Sequence, residues 1–121
     1  MFETGTIYSN FTPIVKSPVI AYRISGPDVL VILKKLTKKN FKQDHSRVHF
    51  VKLFSIEDQI LDECSVVYFK SPKSFTGEDV CEVFLHGSPL IASQFEETLK
   101  DFKIPGFSTI EGFINSTITT Y

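Results

Sequence analysis

The chain has 121 residues and a formal net charge of −1, with 42% hydrophobic, 22% charged and 13% aromatic residues. That length fits one domain able to bury about two-thirds of its unfolded surface, and near-neutrality excludes a bulk electrostatic pull toward nucleic acid or membrane. No apolar run reaches the roughly 20 residues that span a bilayer, and MFETGTIYSN lacks the basic start and apolar stretch of a secretory signal, so neither a membrane anchor nor a leader is expected.

Along the chain, Thr6 to Asn10 reads as a short strand. The run SPVIAYRISG, residues 17–26, alternates Val19, Ala21 and Arg23 with Ile20, Tyr22 and Ile24, and predicts a second strand that stops at Ser-Gly-Pro. Pro27 is placed as the first residue of a helix, where a missing N–H costs nothing. Val29, Ile32, Leu33 and Leu36 then recur at helical spacing. Asp28 suits the positive end of that helix, and Lys34, Lys35, Lys38 and Lys39 suit the negative end.

RVHFVKLF, residues 47–54, and ILDECSVVYFK, residues 60–70, predict two strands joined by an IEDQ loop. Val66 to Phe69 is apolar on both faces, which places that strand inside its sheet. SPKSFTGED is turn chemistry, and Val80 to Leu85 is a further strand. Ser88 is then an N-cap with Pro89 at the first helical position. Ile91, Phe95, Leu99 and Phe102 form one apolar face, Ile104-Pro105-Gly106 closes the helix, and a last short helix is expected over 108–116. The order β, β, α, β, β, β, α, α is an α+β layout, with helices on one side of a mixed or mostly antiparallel sheet. Twelve phenylalanines against four tyrosines and no tryptophan predict a Phe-rich core. Two cysteines, Cys64 and Cys81, make no disulfide framework and read as buried, reduced thiols of a cytoplasmic protein.

Few groups offer chemistry. His45, His49 and His86 lack metal-ligand spacing with the cysteines, so no zinc site is expected. Cys81 and His86 fall on opposite faces of one strand by parity and do not pair as nucleophile and base. No glycine-rich phosphate loop ending in Gly-Lys-Ser/Thr is present, so the chain is expected neither to bind nor to hydrolyse GTP. Lys34, Lys35, Lys38, Lys39, Lys42 and Arg47 form a basic cluster, either a contact for RNA phosphates or a solvated helix end. Val80, Glu82 and Phe84 share one strand face, and Cys81, Val83 and Leu85 the other. A lone strand Glu is usually solvated. A half-buried one presents two oxygens that match a ligand edge with two parallel N–H donors, such as a pterin or guanine edge. Arg23, near the end of its own strand, would pair with that Glu or hold a ligand carboxylate. Composition and spacing leave these readings open.

The stretches RISGPD (23–28), DE followed by VVYFKSPKSFTGEDVCEVFLHGSP (62–89) and PGFSTIEGFINS (105–116) resemble the N-terminal domain of the MnmE/TrmE tRNA-modification GTPases. The resemblance runs from about residue 5 to 118, and SFTGEDVCEVFLHG is its most specific part. It implies a single domain over residues 1–121 that binds a tetrahydrofolate, the 5-formyl form, and builds a constitutive homodimer. It implies that a one-carbon unit from the folate reaches C5 of the wobble uridine in certain tRNAs, with an MnmG/GidA-type flavoprotein as partner of the full-length protein. The family's helical and G domains are not in this sequence. The resemblance carries three folate contacts over. The Arg of RISG matches Arg23, the second Glu of GEDVxE matches Glu82, and a lysine falls on Thr117 in an ungapped reading. A glycine-rich stretch of the family is also replaced here by residues 12–21, which contain no glycine. The alternative reading is a degenerate domain that keeps only the dimerisation role. A folate-dependent one-carbon enzyme acting alone is the third reading, but no nucleophile or base is evident for it. FTGED is expected to shape a turn, and His86 to order a strand–helix junction.

Overall fold

The computed structural model describes residues 5–12, 18–42, 45–71 and 77–109. Its elements are β1 (Ile7–Asn10), β2 (Val19–Ser25), α1 (Val29–Thr37), β3 (Val48–Phe54), β4 (Ile60–Phe69), β5 (Val80–His86), α2 (Pro89–Asp101) and β6 (Ser108–Thr109). The six strands form one sheet in the order β3-β4-β5-β2-β1-β6. All neighbours are antiparallel except β1 and β6, which run parallel, so the sheet is mixed. The expected α+β layout with helices on one side is what forms.

Strand periodicity explains the layering. Side chains alternate between faces, so one set from each strand turns toward the helices. That set holds Ile24 on β2, Cys81, Val83 and Leu85 on β5, and Cys64, Val66 and Tyr68 on β4, all buried. They meet Val29, Ile32, Leu33 and Leu36 of α1 and Phe95 and Leu99 of α2 in one hydrophobic cluster. The opposite face carries Ala21, Arg23, Glu82, Phe84, Val67 and Phe50, and no helix of the described residues covers it. As the run Val66–Phe69 foretold, β4 is paired on both sides, although β5 and β2 lie nearer the middle.

Three expectations are corrected. The core is not Phe-rich: among the described residues only Phe41 and Phe95 of the phenylalanines are buried, and the other rings inside belong to Tyr8, Tyr22 and Tyr68. Phe50 and Phe84 fall on the open face by parity, and Phe102 and Phe107 pack only partly buried against the rim of the core. Second, Pro27 does not begin α1. Gly26 sits at φ 142°, and its N–H donates to the Asp79 carbonyl at 2.9 Å. The Asp28 N–H donates to Thr6 Oγ1 at 2.8 Å, and that hydroxyl donates to Asp28 Oδ2 at 3.0 Å. Residues 26–28 are therefore a turn tied to the start of β1 and to the 77–79 turn, and the helix follows at Val29. A Cβ on Gly26 would lie 2.5 Å from Thr6 Cα, so only glycine fits. Third, Ser108 and Thr109 are strand rather than helix. β1 needs a partner on its outer edge, and the turn at Gly106, φ 77°, delivers one: Ser108 N–H donates to the Thr6 carbonyl at 3.1 Å. Residues 110–116 of the expected helix lie outside the described residues.

The start of α2 follows its sequence signal. Ser88 caps it, its hydroxyl accepting from Ile91 N–H at 3.3 Å, and Pro89 is the first helical residue. α1 ends at Lys38 in the left-handed conformation, φ 61°, with the cap N–H on the Lys34 carbonyl.

Candidate functional site

The open face is assembled from neighbouring strands. Pairing of β2 with β5 sets Arg23 opposite Glu82 and Ala21 opposite Phe84. Pairing of β5 with β4 sets Glu82 opposite Val67. Two residues far apart in sequence are thereby cross-strand partners in mid-sheet. Arg23 donates from Nη2 to Glu82 Oε2 at 2.8 Å and from Nε to the same oxygen at 3.1 Å. The side chains are 33% and 15% exposed, so the pair is half-sunk in the face. A charged hydrogen bond at this depth is stronger than one in open water, because less solvent competes for either partner.

An aromatic pair flanks the charges. The Arg23 guanidinium carbon lies 4.3 Å from the centre of the Phe11 ring, and Phe11 meets Phe84 edge-on at 6.1 Å. The planar cation therefore rests on one ring, which fixes its orientation and favours Arg over Lys. Both contacts to Glu82 use Oε2, and among the described residues Oε1 accepts no hydrogen bond. The arrangement is an oriented carboxylate with spare acceptor capacity beside two apolar rings. It suits a flat ligand edge with N–H donors and contains no nucleophile.

Next to it, at the ends of β2 and β5, is a cleft of about 350 Å³ lined by Gly26, Pro27, Ser71, Gly77, Glu78 and Asp79. The two carboxylates here hold the turn. Glu78 accepts from Ser25 Oγ at 3.2 Å, and Asp79 Oδ1 accepts from Ser71 N–H at 2.8 Å. Asp79 also binds the Tyr68 hydroxyl. Burial, aided by the charge and hydrogen bond of Asp79, pushes that phenol up to about 12. Glu78 and Asp79 shape the turn, as the sequence implied.

His86 also orders the junction where it sits. Its N–H donates to Asp62 Oδ2 at 2.9 Å, and its ring Nδ1 lies 2.9 Å from Asp62 Oδ1. Cys81 is buried on the helix side, away from it. Burial, reinforced by the nearby charge of Glu82, pushes the Cys81 thiol far up, and burial with Asp62 raises Cys64 to about 12. Both thiols stay protonated and inert at neutral pH. Among the described residues no group of three His, Cys, Asp or Glu is placed to hold a metal. No helix among them is long and apolar enough to cross a membrane.

The structure thus brings Arg23 and Glu82 together, while Thr117 lies outside the described residues. Sequence reading missed Phe11 as the ring beneath Arg23. Its only trace was an aromatic just past the end of β1. Phe84, two residues after Glu82 and so on the same face, was legible by parity.

The domain is α+β, and its Arg23–Glu82 pair lies on a sheet face that no helix of the described residues covers. A family model described as GTP-binding protein TrmE N-terminus matches residues 6–108, and the chain belongs to that family. It is similar to a tRNA modification GTPase MnmE of Helicobacter pylori (strain ATCC 700392 / 26695), 48% identical over 88 residues, covering 72% of this chain and 18% of that protein. It is similar to the protein of that name from Neorickettsia sennetsu, 47% identical over 96 residues, 78% of this chain and 17% of the relative. A third, from Rickettsia bellii (strain OSU 85-389), is 41% identical over 108 residues, 88% of this chain and 23% of the relative. The chain therefore spans about a fifth of the length of these relatives.

Proposed function

We propose that this chain is the folate-binding and dimer-forming domain of a cytoplasmic tRNA-modifying GTPase. In that role it holds 5-formyltetrahydrofolate, or a related tetrahydrofolate, as the one-carbon source for C5 modification of the tRNA wobble uridine. The observation that carries the reading is the Arg23–Glu82 pair, half-buried on the helix-free face between the Phe11 and Phe84 rings. A reduced pterin presents a ring amide N–H beside an exocyclic amine, and a carboxylate accepts both in parallel. Oε1 of Glu82 accepts no hydrogen bond among the described residues and is open to such an edge, Arg23 holds the carboxylate in place, and the rings offer flat apolar surface. The residues present fit the ligand. Bound there, the folate would supply the carbon unit, while the chain's own residues bind and orient it. GTP hydrolysis, the flavoprotein partner of the MnmG/GidA type and contact with tRNA belong to the full-length protein in this reading.

Calorimetric titration of 5-formyltetrahydrofolate into the full chain tests it. Binding is expected to be detectable and weak, because Thr117 replaces a lysine and the 12–21 stretch lacks glycine. Glu82→Gln exchanges one acceptor for a donor that faces a ligand donor. It is expected to weaken binding about ten- to a hundredfold, the worth of one charged hydrogen bond. Arg23→Lys does not restore the planar fork and is expected to bind less well than the wild type. If both variants bind as tightly as the wild type, the pocket lies elsewhere. If the wild type shows no heat of binding, the second reading, a degenerate domain that only dimerises, takes its place. The sheet face that no helix of the described residues covers favours that part of the role. A dimer burying more than about 1,000 Å² is expected, and sedimentation at tens of micromolar that shows only monomer would exclude it for this chain.

A further inference from the structure

The net charge of −1 conceals a strongly two-ended chain. Between residues 34 and 52 lie seven of its 13 Lys and Arg and only one of its 14 Asp and Glu. The fold sets five of these cations at the α1–β3 corner, Lys34 and Lys35 in the wall of one cleft and Lys38, Lys39 and Lys52 in that of another. Lys34 and Lys35 end α1, Lys38 caps it, Lys39 and Lys42 follow, and Arg47 leads into β3, which carries Lys52 along the sheet edge. All are exposed. Lys38 pairs with Asp58, and Lys35 lies 5.8 Å from the centre of the Phe102 ring. Lys34, Lys39, Lys42, Arg47 and Lys52 make no ion pair among the described residues. A helix C-terminus carries roughly half a negative charge, so offsetting the dipole of α1 accounts for one lysine and not for this surplus.

Shape adds to charge. Two open clefts adjoin the corner. One of about 370 Å³ has Lys34, Lys35 and Asn40 in its wall. The other, of about 470 Å³, has Lys38, Lys39 and Lys52 around Phe50 and Phe54, with Glu63, on β4 opposite Lys52, as the one carboxylate. Phe50 is 67% exposed on the edge strand, a large ring in the same cleft as three lysines. A row of lysines suits phosphates as point charges without reading sequence, and an exposed ring among them suits a base face.

We propose that the α1–β3 corner binds the phosphate backbone of an unpaired RNA segment, with Phe50 stacking on one of its bases. Six of the seven cations are lysines, which fits backbone tracking rather than bidentate base recognition. An exposed ring in a cleft that also holds three lysines suits a base stacked beside a phosphate backbone. The corner is built from α1 and β3, whereas Arg23 and Glu82 belong to β2 and β5. Failure of folate binding therefore leaves this inference standing, and the reverse also holds.

Fluorescence anisotropy of the full chain with labelled oligouridine decides it, beside duplex RNA of equal charge and polyglutamate. Affinity is expected to fall with salt at about −0.7 in log–log slope per phosphate contact, giving about −3 for four contacts. Lys34→Glu, Lys39→Glu and Lys52→Glu together should weaken binding about tenfold or more and flatten that slope. Lys100→Glu, on α2, makes the same charge change as any one of these three and should have a far smaller effect than Lys39→Glu alone. Phe50→Ala should weaken oligouridine binding about fivefold or more and leave the duplex unaffected. A melting curve checks the fold of each variant, and Lys39→Gln with Lys52→Gln repeats the test if the triple variant does not fold. Unchanged affinity in the lysine variants overturns the surface. Polyglutamate binding as tightly as RNA overturns the choice of RNA in favour of an acidic protein. An inert Phe50→Ala overturns the stacking role.

Discussion

Along β5 the side chains alternate between two environments a few ångströms apart. Cys81, Val83 and Leu85 point toward the helices and are sealed. Glu82, Phe84 and His86 point the other way and stay partly open, with only Val80 at the strand start sealed on that side. The closed face holds the molecule together, with its rings and thiols packed under α1 and α2. The bare face gathers the Arg23–Glu82 pair, Phe11 and Phe84, and at its edge Phe50. A period of two is enough to give the same strands one sealed face and one partly open face. Substitutions on the two faces should therefore differ in what they damage.

The largest effect is expected on the closed face. Phe95 is fully buried and its ring centre lies 4.8 Å from that of Tyr22. Phe95→Ala should lower the unfolding free energy by about 3–5 kcal/mol, read from urea or thermal denaturation, because a large cavity opens between α2 and the sheet. A loss below about 1 kcal/mol would mean that α2 does not seal this face.

The same face should make the protein sensitive to alkali. Below pH 9.0, the ordinary thiol value, Cys64 and Cys81 are protonated whether the chain is folded or not, and stability is complete. Above it the unfolded chain ionises, while the folded thiols resist, Cys64 until about pH 12 and Cys81 beyond that. Stability should thus fall with rising pH, by about 1.4 kcal/mol per pH unit for each thiol once the unfolded group is ionised. Tyr68, held up to about 12 from 10.0, adds to the slope at the alkaline end. Urea unfolding between pH 8 and about 10.5 reads this slope, and Cys64→Ala should remove one proton's share of it. A flat profile would show that the thiols are not sealed.

On the open face, Glu82→Gln should cost on the order of 1–2 kcal/mol of stability, discounted for the partial exposure of Arg23. Its effect on ligand binding should be larger than its effect on the fold. The opposite ranking would make the pair a structural bridge.

Much of this division was legible in the sequence. Parity on Val80–Leu85 assigned Glu82 and Cys81 to opposite faces, and Ser88-Pro89 marked the start of α2 to the residue. What stayed hidden depended on contacts between distant segments. Nothing local says that Thr6 and Asp79 hold residues 26–28 in a turn, so Pro27 reads as a helix start. Nothing local says that β1 needs an outer partner, so Ser108 and Thr109 read as helix. The Arg23–Glu82 pair follows from the β2–β5 register, which the sequence does not state, and Phe11 reaches Arg23 only because β1 pairs beside it. The buried rings were misjudged because composition counts phenylalanines without saying which face they share.

The smallest effect is expected at Phe50, and it sharpens the comparison most. Its ring is 67% exposed at the β3 edge, opposite Ser65 on β4, so the folded chain gains little apolar burial from it. Phe50→Ser should change the stability of the monomer by less than about 0.5 kcal/mol, despite the lower strand preference of serine. Denaturation at two protein concentrations, far apart, gives the reading its force. A small cost at both concentrations means the ring is free for a ligand. A cost that is small when dilute and grows with concentration means Phe50 is buried between two copies, since a partner that binds only the folded state stabilises it by mass action. A cost of several kcal/mol at every concentration would mean that the open face is covered within the chain, and the contrast between the two faces would fail at its edge.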